Sequence, residues 1–232
     1  MKIVRESLLE GAKRAKGTVV IIDVFRAFTC VPIMFHLGAS DVILEKDPKR
    51  ARELKERLNY IFVGEKNEIP LKGSDMGNSP YEIMCNRHIF KERGVVHCTT
   101  AGVNGVWLSH GNAKSVFVAS FINAKATCEE IKRISPSLVT LVAMGERGLI
   151  PSPEDESCLD YMACLLEGKE PDPFINTLKR ILDSSSFKKF LDPTRPYLYP
   201  EDPIICLQRD LIPLALEVKK QEDYLKVVPV GR

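Results

Sequence analysis

The sequence lacks long apolar stretches: the longest, Cys30 to Phe35 and Leu211 to Leu216, are six residues each. A membrane-spanning helix needs roughly 20, so no span is expected. The first residues carry no apolar core of the signal-peptide kind, which places the chain in the cytoplasm as an expectation. An excess of one charge is also missing. Thirty-three Lys and Arg stand against 31 Asp and Glu, a net charge of +2. So balanced a chain does not bind nucleic acid through a generally basic surface, and any ligand must be met locally. Paired cysteines are absent as well. The seven cysteines (30, 85, 98, 128, 158, 164 and 206) are odd in number and scattered, and no Cys-x-x-Cys occurs. That argues against a zinc site and a disulfide framework, leaving buried free thiols as the expectation. The four histidines (36, 88, 97 and 110) do not cluster and read as packing or surface residues rather than ligands.

Several catalytic signatures are missing too. The sequence has no P-loop, no G-x-G-x-x-G, no G-x-S-x-G and no H-E-x-x-H. No Cys is followed six residues later by Arg, which excludes a cysteinyl-phosphate phosphatase. Asp23 has no second Asp two residues on, which excludes a haloacid-dehalogenase phosphatase.

What remains is an ordinary globular composition: 44% hydrophobic, 28% charged, 14 Gly and 15 Pro in 232 residues. A chain of that length can bury roughly 70–75% of its unfolded surface. β-Branched runs at 18–24, 41–45, 60–64, 95–99, 114–119 and 138–143 predict strands buried on both faces. Helical patterns at 27–38, 48–58, 80–92, 103–111 and 121–134 lie between them, with Pro48 suited to a first turn. The alternation predicts a three-layer α/β/α fold with a mostly parallel sheet. After Gly148 the pattern changes to helices at about 153–167 and 172–185, a Pro-rich passage from Pro193 to Pro203, and apolar runs at 204–216 and 224–230. The reading is a main α/β domain over 1–150 and, over 151–232, an extension of helices and short terminal strands packed on the same sheet, with one continuous domain left open.

In open α/β sheets ligands bind beyond the carboxyl ends of the strands, so the residues following each strand are the candidates. Asp23-Val24-Phe25-Arg26 follows the first strand, a carboxylate and a guanidinium suited to a divalent metal and a phosphate oxygen. An Asp in that place also serves as a turn or cap residue. Gly64-Glu65 opens the one long stretch without a clear element, 65–79, and structureless loops of that length are usually functional. It delivers Asp75, Gly77 and Asn78 ahead of Ser79-Pro80-Tyr81-Glu82, which reads as a capping box starting a helix. Thr99-Thr100-Ala101-Gly102 opens another helix where hydroxyls and amides could cradle a phosphate. Ser120 and Asn123 follow the fifth strand, where Ser120 could equally be an N-cap. Gly145-Glu146-Arg147-Gly148 follows the sixth, and Ser152-Pro153-Glu154-Asp155 starts a further helix, whose acids suit either a metal or the helix dipole.

Taken in this order and spacing, these motifs resemble the 2-phosphosulfolactate phosphatase family over roughly 17–165, with a fainter echo at Cys206 to Asp210 and Ile212-Pro213. The resemblance implies a Mg²⁺-dependent phosphatase that converts 2-phosphosulfolactate to sulfolactate and phosphate, on the route to coenzyme M. Its partner is then a small anionic phosphate ester, with no nucleic acid or membrane involved; a homo-oligomer stays open. Carried over motif by motif, it implies Asp23 and Asp75 as metal ligands, with Glu65 and Asp155 as second choices. Arg26 becomes a phosphate clamp, and Thr99, Thr100 and Gly102 a phosphate cradle. Asn78, Ser79, Ser120 and Asn123 are assigned to substrate or metal waters, and Arg147 to the carboxylate or sulfonate. The attacking group stays open between a water and an enzyme nucleophile, Asp23, Thr99 or Ser120. The chain departs from the family pattern at Ala101, where Asn is usual, at Ala119, where Gly is usual, and at Phe28-Thr29-Cys30. These departures leave two alternatives standing: a phosphatase of another 2-phospho-hydroxy acid, or a non-catalytic relative that binds an anionic metabolite.

Overall fold

The computed structural model describes residues 1–231. In chain order its elements are β1 (Lys2–Ser7), α1 (Leu8–Arg14), β2 (Gly17–Ile22), α2 (Ala27–His36), β3 (Asp41–Leu44), α3 (Pro48–Leu58), β4 (Ile61–Lys66), β5 (Ile69–Pro70), α4 (Pro80–Cys85), β6 (Gly94–Cys98), α5 (Gly102–His110), β7 (Ala113–Ala119), α6 (Ala124–Ile134), β8 (Leu138–Ala143), α7 (Pro153–Glu167), α8 (Phe174–Leu182), α9 (Ser185–Lys188), α10 (Glu201–Cys206), β9 (Ala215–Lys220) and β10 (Leu225–Val230). Short 3-10 turns follow α4, β7 and α9. Helices cover both faces of one mixed, mostly parallel sheet, so the three-layer α/β reading holds. Among the described residues no helix is long and apolar enough to cross a membrane.

All six predicted strands are present, and α7 spans the predicted 153–167 because Pro153 opens its first turn and Gly168, left-handed, closes it. The helix expected over 80–92 stops at Cys85, where the Asn86 side chain donates to the Glu82 carbonyl. The N-terminal β1 and α1 lie in a stretch for which no element is expected.

The sheet order is β1-β8-β2-β7-β9-β10-β3-β6-β4-β5. The first four strands run parallel, as do β3, β6 and β4. Between the two groups sits the β9–β10 hairpin, antiparallel to β7 on one side and to β3 on the other. The terminal strands are therefore central rather than peripheral, and three antiparallel steps set the second group running opposite to the first. In a flat sheet the carboxyl ends of the two groups would point apart. Twist of roughly 20–25° per strand pair curls this one instead. One core takes Val19, Ile21, Val116 and Val118 from the first group, Val42, Leu44, Ile61, Val63 and Val95 from the second, and the buried faces of α2 and α5. The opposite faces are covered separately. Val20, Ile22, Phe117 and Leu141 pack under α6 and α7, and Ile43, Phe62 and Val96 pack against Ala51 and Leu54 of α3. This double burial is why the strands read as continuous β-branched runs. Five of the seven cysteines are buried, and all are free thiols.

Candidate active site

The curl brings the ends of β2 and β8 from one group against the ends of β4 and β6 from the other, and a cleft forms where they meet. Asp23, Phe25 and Arg26 line it from the end of β2. Glu65 lines it from the end of β4 and Glu68 from the β4–β5 turn, Asn78 from ahead of α4, and Thr100 and Ala101 from ahead of α5. Gly145, Glu146 and Arg147 follow β8, and Lys189 follows α9. The cleft is open to solvent on one side and has a volume of about 40 Å³, room for about three water-sized groups, which suits the head of a small anion.

Asp23 forms the floor. Its Oδ1 accepts from the Ala27 amide at 3.1 Å and its Oδ2 from the Gly102 amide at 2.9 Å. A Cβ on Gly102 would fall 2.8 Å from that Oδ2 and 2.9 Å from the Phe28 ring, so only glycine lets the α5 backbone come this close. Gly102 thus holds the carboxylate, and its amide is not open to a phosphate. Burial first, opposed by the Ala27 amide and reinforced by Glu65 and Glu154, pushes the Asp23 carboxyl up to about 7. Glu65 is fixed in the same way. Its Oε1 accepts from the Thr100 amide at 2.6 Å, and its Oε2 accepts from the Thr100 hydroxyl at 3.1 Å and from the Glu68 amide. Of the predicted cradle, Thr100 braces a carboxylate at the cleft wall, while the Thr99 hydroxyl is buried and accepts from the Val103 amide.

Arg26 lies in the cleft with 4% of its side chain exposed, and its Nη1 donates to Asp202 Oδ2 at 2.7 Å. Asp202 also accepts from the Ser79 hydroxyl at 2.6 Å and from the Tyr81 amide at 3.0 Å. Ser79 is consequently a brace between α4 and α10. Its oxygen caps the Glu82 amide, but Glu82 returns to the Gly77 amide rather than to Ser79, so the expected capping box is half formed. Asn78 spends its amide oxygen on the ring N–H at His97 Nε2, at 2.9 Å, which leaves its nitrogen to meet a ligand. Burial pushes fully enclosed His97 down to about 3, so the ring is neutral.

Three predicted residues lie elsewhere. Asp75 sits at the amino end of β4, opposite Glu65, accepting from the Phe62 amide and pairing with Lys55, both at 2.7 Å. The loop after Glu65 runs back to the amino end of β4 and then returns alongside it, pairing Met76 parallel with Val63 on the way to Asn78. Ser120 and Asn123 form a fully buried capping box beneath the site, with Asn123 also donating to the Leu214 carbonyl at 3.1 Å. Ala119 is buried at the end of β7, where its carbonyl accepts from the Asp23 amide. Asp155 stays close without lining the cleft: its oxygens accept from the Val24 and Gly145 amides, each at 2.7 Å, locking two strand-end loops together. Burial, then Asp23 and Glu154, hold its carboxyl well above the ordinary range. Among the described residues no three carboxylate, imidazole or thiol side chains converge as a metal cage. Of the four predicted metal ligands, Asp23 and Glu65 line the cleft.

The sequence pattern misses Glu68, Lys189 and Asp202. Lys189 lies 34 residues beyond Asp155, between the helix expected to end at 185 and the Pro-rich passage, and Asp202 lies within that passage. Neither carries a local signal. Phe190, 3% exposed, seats the segment by packing its ring 5.3 Å from Phe25 and 5.7 Å from the Arg26 guanidinium.

The profile of the 2-phosphosulpholactate phosphatase family matches residues 3–221. Among similar chains, a probable 2-phosphosulfolactate phosphatase of Bacillus subtilis is 29% identical over 204 residues, covering 87% of this chain and 86% of its own. One from Thermoplasma volcanium is 29% identical over 195 residues, 83% of this chain and 85% of its own. One from Caldicellulosiruptor saccharolyticus is 26% identical over 218 residues, 86% and 88% of the two chains. With a match that runs through both groups of strands and every segment lining the cleft, the chain belongs to the 2-phosphosulpholactate phosphatase family.

Proposed function

We propose that the cleft hydrolyses the phosphate ester of a small 2-phosphorylated hydroxy acid, 2-phosphosulfolactate first among them, with Mg²⁺ as cofactor. The sulfolactate released would enter the route to coenzyme M. One observation carries the reading: a buried carboxylate braced by two backbone amides, Asp23, faces Glu65 where two sets of strand ends meet, with Arg26, Arg147 and Lys189 around them.

The donor chemistry fits the metal. Mg²⁺ takes oxygen ligands and is commonly held by one or two carboxylates together with waters and substrate phosphate, and Asp23 and Glu65 would hold it here. Asp23 bonds to two backbone amides rather than to a cationic side chain, so its oxygens keep lone pairs for a metal. Bound there, Mg²⁺ supplies Lewis-acid neutralisation of the phosphoryl oxygens and of the leaving alkoxide. Arg26, with Nη1 committed to Asp202, keeps its other N–H groups for a phosphate oxygen. The Asn78 amide nitrogen donates alongside it. Arg147 at the rim meets the carboxylate or sulfonate. Of the hydroxyls weighed as nucleophiles, Thr99 and Ser120 are buried away from the cleft. Attack then falls to water or to Asp23 itself.

A second reading, a phosphatase of a different 2-phospho acid, is favoured by Ala101. This residue lines the cleft, so a methyl group stands where the family usually offers an amide to the substrate. Phosphate release from 2-phosphosulfolactate and 2-phospholactate by the purified protein with Mg²⁺ separates the two. Release from the sulfonate is expected. Release from 2-phospholactate alone identifies the second reading, and release from neither overturns both in favour of a metabolite-binding protein.

A further inference from the structure

We infer that Lys189 is the specificity-determining residue of the cleft, the cation that receives the second acidic group of the substrate, its sulfonate or carboxylate. The inference rests on the phosphorylated hydroxy-acid reading for its choice of ligand. It stands on geometry outside the motifs that define the site.

Lys189 reaches the cleft from the segment after α9, the part of the chain farthest in sequence from Asp23 among the cleft-lining residues. Its side chain is 10% exposed, and the ammonium donates to Glu68 Oε1 at 2.8 Å and to Glu146 Oε2 at 3.3 Å. Those glutamates belong to different strand-end loops, one after β4 and one after β8, and both line the cleft. An ammonium has three N–H donors, so two fix the group in place and one is left for a ligand. Neither neighbouring cation is as well placed. Arg26 is tied through Nη1 to Asp202 and to the Tyr197 carbonyl at the cleft wall, suiting it to the phosphate. Arg147, exposed at the rim, is left to meet whichever of the two groups Lys189 does not. Phe190, packed against Phe25 and Arg26, keeps the Lys189 backbone from drifting. A cation held in position before the ligand arrives costs little reorganisation when the anion binds.

The test is binding of two ligands to the full-length protein with Mg²⁺, by titration calorimetry: sulfolactate, which carries the carboxylate and sulfonate without phosphate, and inorganic phosphate. Loss of a hydrogen bond to a charged group predicts that Lys189→Met weakens sulfolactate by about 10- to 100-fold while phosphate changes by less than about threefold. Lys189→Arg should recover most of the sulfolactate affinity, because it restores the charge and a donor. Equal weakening of both ligands, with no recovery by Arg, would show that Lys189 only latches the segment and would overturn the inference. So would a wild-type protein that does not bind sulfolactate at all. The phosphatase reading is judged separately by turnover, so a protein that binds sulfolactate through Lys189 and hydrolyses no phosphate ester overturns that reading alone.

Discussion

Asp23→Asn is expected to lower phosphate release by about 10³-fold, the scale of losing a central electrostatic group, while the chain stays folded. The side chain keeps its shape and an oxygen for one of the Ala27 and Gly102 amides, while its NH2 meets the other, so charge and one acceptor are lost together. Stability should respond with a definite sign. Burial, with Glu65 and Glu154 adding to it, raises the Asp23 carboxyl to about 7 from an ordinary 3.8. Between those values the folded state keeps a proton that the unfolded state has released. The contribution of Asp23 is therefore complete below about pH 4 and is lost as pH rises through about 7. The variant has no such proton. Relative to the wild type in EDTA it should gain stability over that interval, by about 1.4 kcal/mol per pH unit at the steepest. Urea denaturation of both proteins at pH 4.5, 6 and 7.5 reads this out. A stability difference that stays constant with pH, or undiminished phosphate release, would remove Asp23 from its assigned place.

Asp202→Ala should produce the largest loss of stability. The carboxylate is fully buried and holds three donors at once: the Arg26 guanidinium, the Ser79 hydroxyl and the Tyr81 amide. Burial pushes its carboxyl up, and Arg26 and Ser79 pull it part of the way back. Removing one partner of a buried ion pair typically costs about 3–5 kcal/mol, because the other charge is left unpaired. For a chain of this size that corresponds to a fall of roughly 6–20 °C in Tm. Arg26 also loses its brace, so activity should fall at least about 10-fold even at temperatures where the variant is folded. Asp202→Asn, which keeps an oxygen for Ser79 and Tyr81, should cost less. Calorimetric melting of the three proteins checks the order, and an alanine variant within about 1 kcal/mol of the wild type would contradict it.

The parts of this molecule that were legible from sequence are those with local causes. Strands buried on both faces must be apolar at every position, so β2, β6, β7 and β8 announce themselves. Asp23 and Arg26, and likewise Gly145 to Arg147, are visible because a strand end fixes where they emerge. Of the hairpin β9–β10, the run at 224–230 gives the second strand, whereas the run at 204–216 falls on the end of α10 and the coil after it and reaches only the first two residues of β9; neither run shows that the hairpin is the centre of the sheet. Its apolar runs do not encode which strands flank it, and its position alone reverses one half of the sheet. The 65–79 loop shows how such a gap reaches the site. Glu65 and Asp75 are both acids of one loop, but the chain doubles back along β4, leaving Glu65 at the cleft and carrying Asp75 to the opposite end of the strand. Asp202 and Lys189 were invisible because each works through partners more than 40 residues away in sequence.

The most direct measurement is the rate of phosphate release from 2-phosphosulfolactate by protein stripped with EDTA, as Mg²⁺ is added back. The account predicts negligible release without the metal, saturable restoration by Mg²⁺ in the wild type, and no restoration in Asp23→Asn. Full activity in EDTA, or equal restoration of the variant, would contradict the assignment of Asp23 and Glu65 as the carboxylates that hold the metal at the meeting point of the two strand groups.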